Sequence, residues 1–194
     1  MDYFIAVLGA RASGKTALVR RFMTGEFPAQ HRPTVEDVYS RVVGCDKGVC
    51  TLRVIDTTGS YNFPAMRRLA IFKAKAILLV YSVTDKNSFE EVKTLYELVH
   101  SVKTDVFKTP VVLVGTKADL ADQRDVKKKE GTELELIWNC GFLEVTVTDE
   151  EQVTDVFRRV FELETRWAMT LTPESQKYKR RCGCLPLKTW AKPE

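Results

Sequence analysis

The chain has 194 residues, 44% hydrophobic and 29% charged, the balance of a soluble globular domain and not of a disordered or fibrous chain. Its net charge is only +4, and much of the positive excess lies near the C-terminus, which argues against a nucleic-acid-binding body and for a basic tail. No apolar run approaches the ~18 residues of a membrane span. Met1-Asp2 leads straight into an apolar strand, so neither a signal peptide nor N-myristoylation is expected.

Tyr3–Leu8 predicts a first strand, and it runs into Gly9-Ala10-Arg11-Ala12-Ser13-Gly14-Lys15-Thr16, with Ala17 and Leu18 continuing a helix over Lys15–Thr24. Strand, G-x-x-x-x-G-K-[ST] and helix together form a phosphate-binding context. Glycines at 9 and 14 let the loop wrap closely, and successive N–H groups make an anion nest at the helix's positive end. Lys15 would reach the β- and γ-phosphates, and Thr16 would hold Mg²⁺. Strands are then expected over Asp37–Cys45 and Val49–Asp56, joined by the short turn Asp46-Lys47-Gly48, which requires an antiparallel pair. Further strands fall at Ala76–Ser82, Val111–Val114 and Phe142–Val145. They alternate with helices at Pro64–Phe72, Ser88–Val102, Lys127–Asn139 and Glu151–Trp167. Val92, Leu95, Tyr96, Val99 and Val102 form one helical stripe; Val153, Val156, Phe157, Val160, Phe161 and Trp167 form another, and both read as core. The expected class is α/β: a P-loop NTPase with a six-stranded, mostly parallel sheet, one antiparallel strand and helices on both faces. It spans residues 1–169, and 170–194 read as a flexible basic tail.

The five cysteines lack disulfide-scaffold spacing, and a cytoplasmic protein would keep them reduced. Cys45 and Cys50 flank the hairpin turn and are read as free thiols, although facing each other across the hairpin stays open. No His/Cys group has zinc-site spacing. His31 sits in a polar loop and His100 in a helix.

Ligands of such sheets bind at the carboxyl ends of the strands. Besides the P-loop, four stretches fall there or beside it. Thr34, before strand two, could close over Mg²⁺ and the γ-phosphate. Asp56-Thr57-Thr58-Gly59 follows strand three; Asp56 would bind Mg²⁺ through water, and the Gly59 N–H could meet the γ-phosphate. Thr116-Lys117-Ala118-Asp119 follows strand five, where a carboxylate can accept both N1–H and N2–H₂ of guanine, a donor pair adenine lacks. Glu144-Val-Thr146-Val147-Thr148 would close over the base.

In this order these residues resemble the Ras family of small GTPases over about residues 3–167, and the nearest branch looks like Di-Ras. Pro33-Thr-Val-Glu-Asp-Val-Tyr39, Cys45-Asp-Lys-Gly-Val-Cys-Thr-Leu52, Asp56-Thr-Thr-Gly-Ser60, Phe63-Pro-Ala-Met66 and Leu163-Glu-Thr-Arg166 carry that likeness. The resemblance implies a monomeric GTP/GDP switch with Mg²⁺, whose mobile segments are about 29–37 and 57–70. Phe27 matches the aromatic that packs against guanine. The segment His31–Tyr39, with Glu36, Asp37 and Tyr39, matches the effector-binding stretch, with the strand-two edge offered for sheet extension. Exchange factors and GAPs are implied as partners; nucleic acid is not.

The departures fall on hydrolysis and base contact. Arg11 stands where many relatives have glycine, in the space an arginine finger would use. Ser60 stands where a water-orienting glutamine is usual, and Ala12 replaces a second glycine. In Ras itself that finger is worth about 10³–10⁵ in rate, or about 4–7 kcal/mol. Slow hydrolysis is therefore expected, with Lys15, Thr34, Gly59 and Ser60 around the γ-phosphate and no catalytic base named. An Arg11 acting in cis, or one without a role, stays open. Thr116 replaces the family's asparagine, Val147 its alanine and Thr148 its lysine, so affinity is expected to be lower and exchange faster. The alternative function is a GTP-loaded adaptor without turnover; an ATP-dependent phosphotransferase is disfavoured by Asp119. The chain ends without a prenylation box, but Cys182 and Cys184 beside Lys177–Arg181 suggest lipidation and the inner face of the plasma membrane.

Overall fold

The computed structural model describes residues 2–26, 36–45, 48–57, 64–103, 108–165 and 169–170. The strands are β1 (Asp2–Gly9), β2 (Glu36–Cys45), β3 (Gly48–Thr57), β4 (Ala76–Ser82), β5 (Val111–Thr116), β6 (Gly141–Val145) and β7 (Met169–Thr170). The helices are α1 (Lys15–Thr24), α2 (Pro64–Lys73), α3 (Lys86–Val102), α4 (Lys128–Trp138) and α5 (Glu150–Leu163). They form one sheet in the order β6-β5-β4-β1-β3-β2-β7. β1 pairs in parallel with β3 and β4, β4 with β5, and β5 with β6, while β2 is antiparallel to β3. The six expected strands are all present, and each expected helix forms within a few residues of its expected bounds.

Alternation along the central strands sorts side chains to two cores. Tyr3, Ile5 and Val7 of β1 join Leu18 and Phe22 of α1 and Val153, Phe157 and Phe161 of α5. Ala6 and Leu8 face the other way, with Ile71 of α2 and Phe89, Val92, Leu95 and Val99 of α3. The first core is tightened by Phe22 stacked on Phe157, ring centroids 3.6 Å apart. Tyr96 and Val102 are partly buried against the second core, so the α3 stripe is a packing face. Because helices cover both faces, ligand access is left to the strand ends.

The structure differs from the expected elements in four places. Helix α5 stops at Leu163, four residues short of Trp167, which lies outside the described residues. Glu164 is extended there, and its carboxylate accepts from the buried Tyr3 hydroxyl at 2.6 Å, a tertiary contact that ends the helix. The chain then adds the short β7, antiparallel to β2, which makes the sheet seven-stranded. Glu144 and Val145, expected both in the strand Phe142–Val145 and in the stretch closing over the base, belong to β6. Cys50 stands opposite Val43, not Cys45, and is buried in the core outside any disulfide.

Candidate functional site

The loop after β1 is shaped by backbone crowding. A Cβ on Gly9 would sit 2.0 Å from the Val80 carbonyl oxygen, so only glycine lets β1 leave the sheet alongside β4. Gly14 holds φ 89° at the start of α1, and Ala12 holds φ 60°. An alanine there carries about 1–2 kcal/mol of left-handed strain, against about 0.5–1 kcal/mol of unfolded-state entropy for the glycine it replaces. Ala12→Gly is therefore expected to raise stability by about 0.5–1 kcal/mol, read as a higher urea midpoint at unchanged slope. An unmoved or lower midpoint would show that the loop relaxes around Ala12 without strain.

Lys15, 6% exposed, folds back under this loop and donates to the carbonyls of Gly9 at 3.0 Å and Ala10 at 2.7 Å. An ammonium has three donors, so one remains for an anion cradled by the loop. Burial lowers its pKa to about 8, opposed by Asp56. A phosphate above the loop would supply the missing countercharge. Arg11 is exposed.

Asp56, fully buried at the end of β3, has neither carboxylate oxygen in a regular hydrogen bond. Burial raises its pKa, and the nearby Thr16 hydroxyl and Lys15 oppose the rise. An orphaned buried carboxylate beside a hydroxyl fits a divalent cation that keeps most of its water, as Mg²⁺ does. The described residues hold no cluster of three His, Cys, Asp or Glu for a cation bound by protein alone. Thr57, which the sequence reading gave no task, ties β3 to β1 by donating to the Val7 carbonyl at 2.7 Å. It holds Asp56 in register with the P-loop. Phe27, Thr34, Gly59 and Ser60 lie outside the described residues.

The opposite wall rises from β5. Thr116, completely buried, sets its hydroxyl 2.7 Å from the Ser13 carbonyl and 3.0 Å from the Tyr81 carbonyl. It also packs beneath Gly14. Thr116 thereby ties the P-loop to β4. Lys117 follows at φ 60°, which turns the chain sharply and sends Asp119 outward. The Asp119 carboxylate accepts from the Thr146 hydroxyl at 3.1 Å, and the Thr146 N–H donates to Gln152 at 2.9 Å. Gln152 is braced by Asp149, the N-cap of α5. Asp149 and Gln152 have capping-box spacing, a local signal the sequence reading passed over. Val147 packs its side chain into the core with Val145, so the bulk that replaces alanine is absorbed below the loop.

Glu144 is nearly buried in its ion pair. It makes a two-pronged ion pair with Arg124, 2.8 and 2.9 Å, and this pairing raises the guanidinium's pKa. Asp37 is exposed on β2, whereas Tyr39 is half-buried and its hydroxyl accepts from Arg20 at 3.1 Å. The sequence thus placed the P-loop, Asp56 and Asp119 on one rim, and missed the braces Thr57, Gln152 and Arg124.

The Ras family model matches residues 5–165. "GTP-binding protein Di-Ras2" of Pongo abelii is 43% identical over 180 residues, 93% of this chain and 90% of the relative. "GTP-binding protein Di-Ras1" of Homo sapiens is 43% identical over 176 residues, 91% and 88% of the two chains. "GTP-binding protein drn-1" of Caenorhabditis elegans is 40% identical over 188 residues, 94% and 85%.

Proposed function

We propose that this chain, which belongs to the Ras family and is similar to Di-Ras proteins, is a guanine-nucleotide switch with slow hydrolysis. The observation that carries the reading is the buried Lys15, tied to two loop carbonyls with a donor to spare, facing the orphaned Asp56 carboxylate. The P-loop amides and Lys15 bind the phosphates. Asp119, oriented by Thr146, accepts from the guanine edge. Mg²⁺, when bound, draws charge from the β- and γ-phosphate oxygens; Thr16 and Asp56 would hold it, together with Thr34. Water attacks the γ-phosphorus directly, and Arg11 and Ser60 leave it without the usual orienting group.

Asp37 and the neighbouring β2 edge serve effectors. The basic tail, with Cys182 and Cys184, serves an anionic membrane face.

Hydrolysis is tested by loading the purified full chain with GTP and Mg²⁺ and following bound GTP and GDP in a single turnover. The expected result is conversion slower than in a glutamine-bearing Ras protein. In the Arg11→Gly, Ser60→Gln double variant it should be faster by about tenfold or more. Conversion by the unaltered chain at or above the glutamine-bearing rate would overturn the slow-hydrolysis reading. GTP that stays intact for hours in both chains would make the protein a GTP-loaded adaptor.

A further inference from the structure

The sheet does not end cleanly at β2. Its outer neighbour β7 pairs only Met169 with Cys45 and Thr170 with Gly44, and then β2 runs on toward Glu36 with nothing beside it among the described residues. Val38 and Val42 on that stretch are 53% and 46% exposed. An edge that long, with two exposed valines, invites another strand.

From the direction of β7 we infer that the chain's own tail, residues 171–178, continues β7 along β2 and covers this edge. The inference stands apart from the nucleotide reading, since no nucleotide contact enters it. The observed register continues to set Leu171 opposite Val43, Thr172 opposite Val42 and Pro173 opposite Arg41. It sets Glu174 opposite Ser40, Gln176 opposite Val38 and Lys177 opposite Asp37. Leu171 then shares the face of the buried Val43, an apolar cross-strand pair. Lys177 meets the exposed Asp37, and the following Lys179, Arg180 and Arg181 approach the acidic start of β2.

Pro173 does not block this path. Two residues separate Cys45 from Gly48, and such a hairpin closes on a hydrogen-bonded pair. Pairs alternate from there, so Cys45, Val43 and Arg41 aim their backbones at β3, while Gly44, Val42, Ser40 and Val38 aim theirs at the open edge. Thr170, Thr172, Glu174 and Gln176 would make the hydrogen bonds. Pro173 falls at a position whose N–H faces solvent, where an edge strand tolerates proline.

The consequence is competition: the tail occupies the strand edge that a partner would use for sheet extension, and whatever draws Lys177–Arg181 away frees it. The test is amide hydrogen exchange by NMR on the full chain, against Thr172→Pro and Pro173→Ala variants. The Val38, Ser40 and Val42 amides should exchange at least about tenfold more slowly in the full chain than in Thr172→Pro. Pro173→Ala should keep that protection, and β4 amides should be equal in all three and so report an intact fold. Equal rates at the three β2 amides in the full chain and Thr172→Pro would overturn the inference. So would protection that scales with protein concentration, which would place a second copy at the edge, or protection seen only with anionic phospholipid vesicles.

Discussion

Lys15→Met is expected to weaken guanine-nucleotide binding by about two to three orders of magnitude, since truncating one member of a buried charge pair costs about 2–5 kcal/mol. The methionine fills the volume of the stem but supplies no donor. It removes the donor that the Gly9 and Ala10 carbonyls meet at 3.0 and 2.7 Å, and leaves Ala10 with only the long bond from the Ser13 N–H. Lys15→Arg is expected to fail nearly as badly, though it keeps the charge. Those two carbonyls fit a compact ammonium, and a planar guanidinium cannot donate to both and still face a phosphate from beneath the loop. Titration of each variant with a fluorescent guanine nucleotide separates charge from shape. Full affinity in the arginine variant would mean that charge alone suffices. Affinity within tenfold of the parent in the methionine variant would mean that Lys15 only clips the loop. Thermal unfolding without nucleotide accompanies the titration, because a collapsed loop would lower both readings.

The local period of the sequence was enough for the sheet and its helices. β4 and β5 are continuous apolar runs buried on both faces, and α3 and α5 carry one apolar stripe each. The P-loop was legible for a similar reason, since its glycines and Lys15 act through neighbours in sequence. What local pattern does not carry is the partner a residue finds across the sheet. Tyr3 ends α5 from 161 positions away, and Glu144 spends its carboxylate on Arg124. Tyr39, matched to an effector segment, gives its hydroxyl to Arg20 of α1. β7 is invisible to periodicity because two residues have no period; only the open edge of β2 gives them a place.

Thr116 has a structural task of its own between β5 and the P-loop. Its hydroxyl has one proton for two carbonyls, Ser13 at 2.7 Å and Tyr81 at 3.0 Å, and its methyl end packs under Gly14. Thr116→Val keeps the shape and removes the donor, leaving the buried Ser13 carbonyl without the proton the hydroxyl gave it. The expected cost is about 1–3 kcal/mol of stability. The Ser13 carbonyl belongs to the loop proposed to hold the phosphates, so loss of this tie should also speed release of bound GDP by about tenfold, the kinetic equivalent of about 1.4 kcal/mol. Thr116→Ser keeps the donor and gives up only a methyl group. It should hold release near the parent rate while losing about 1 kcal/mol of stability to the small cavity. Dissociation of a labelled GDP in excess unlabelled nucleotide, run beside urea unfolding, measures both. Fast release in the valine chain with slow release in the serine chain assigns the effect to the hydroxyl. Equal, slow release in both would mean that the P-loop keeps its shape without β5, and that Thr116 contributes packing alone.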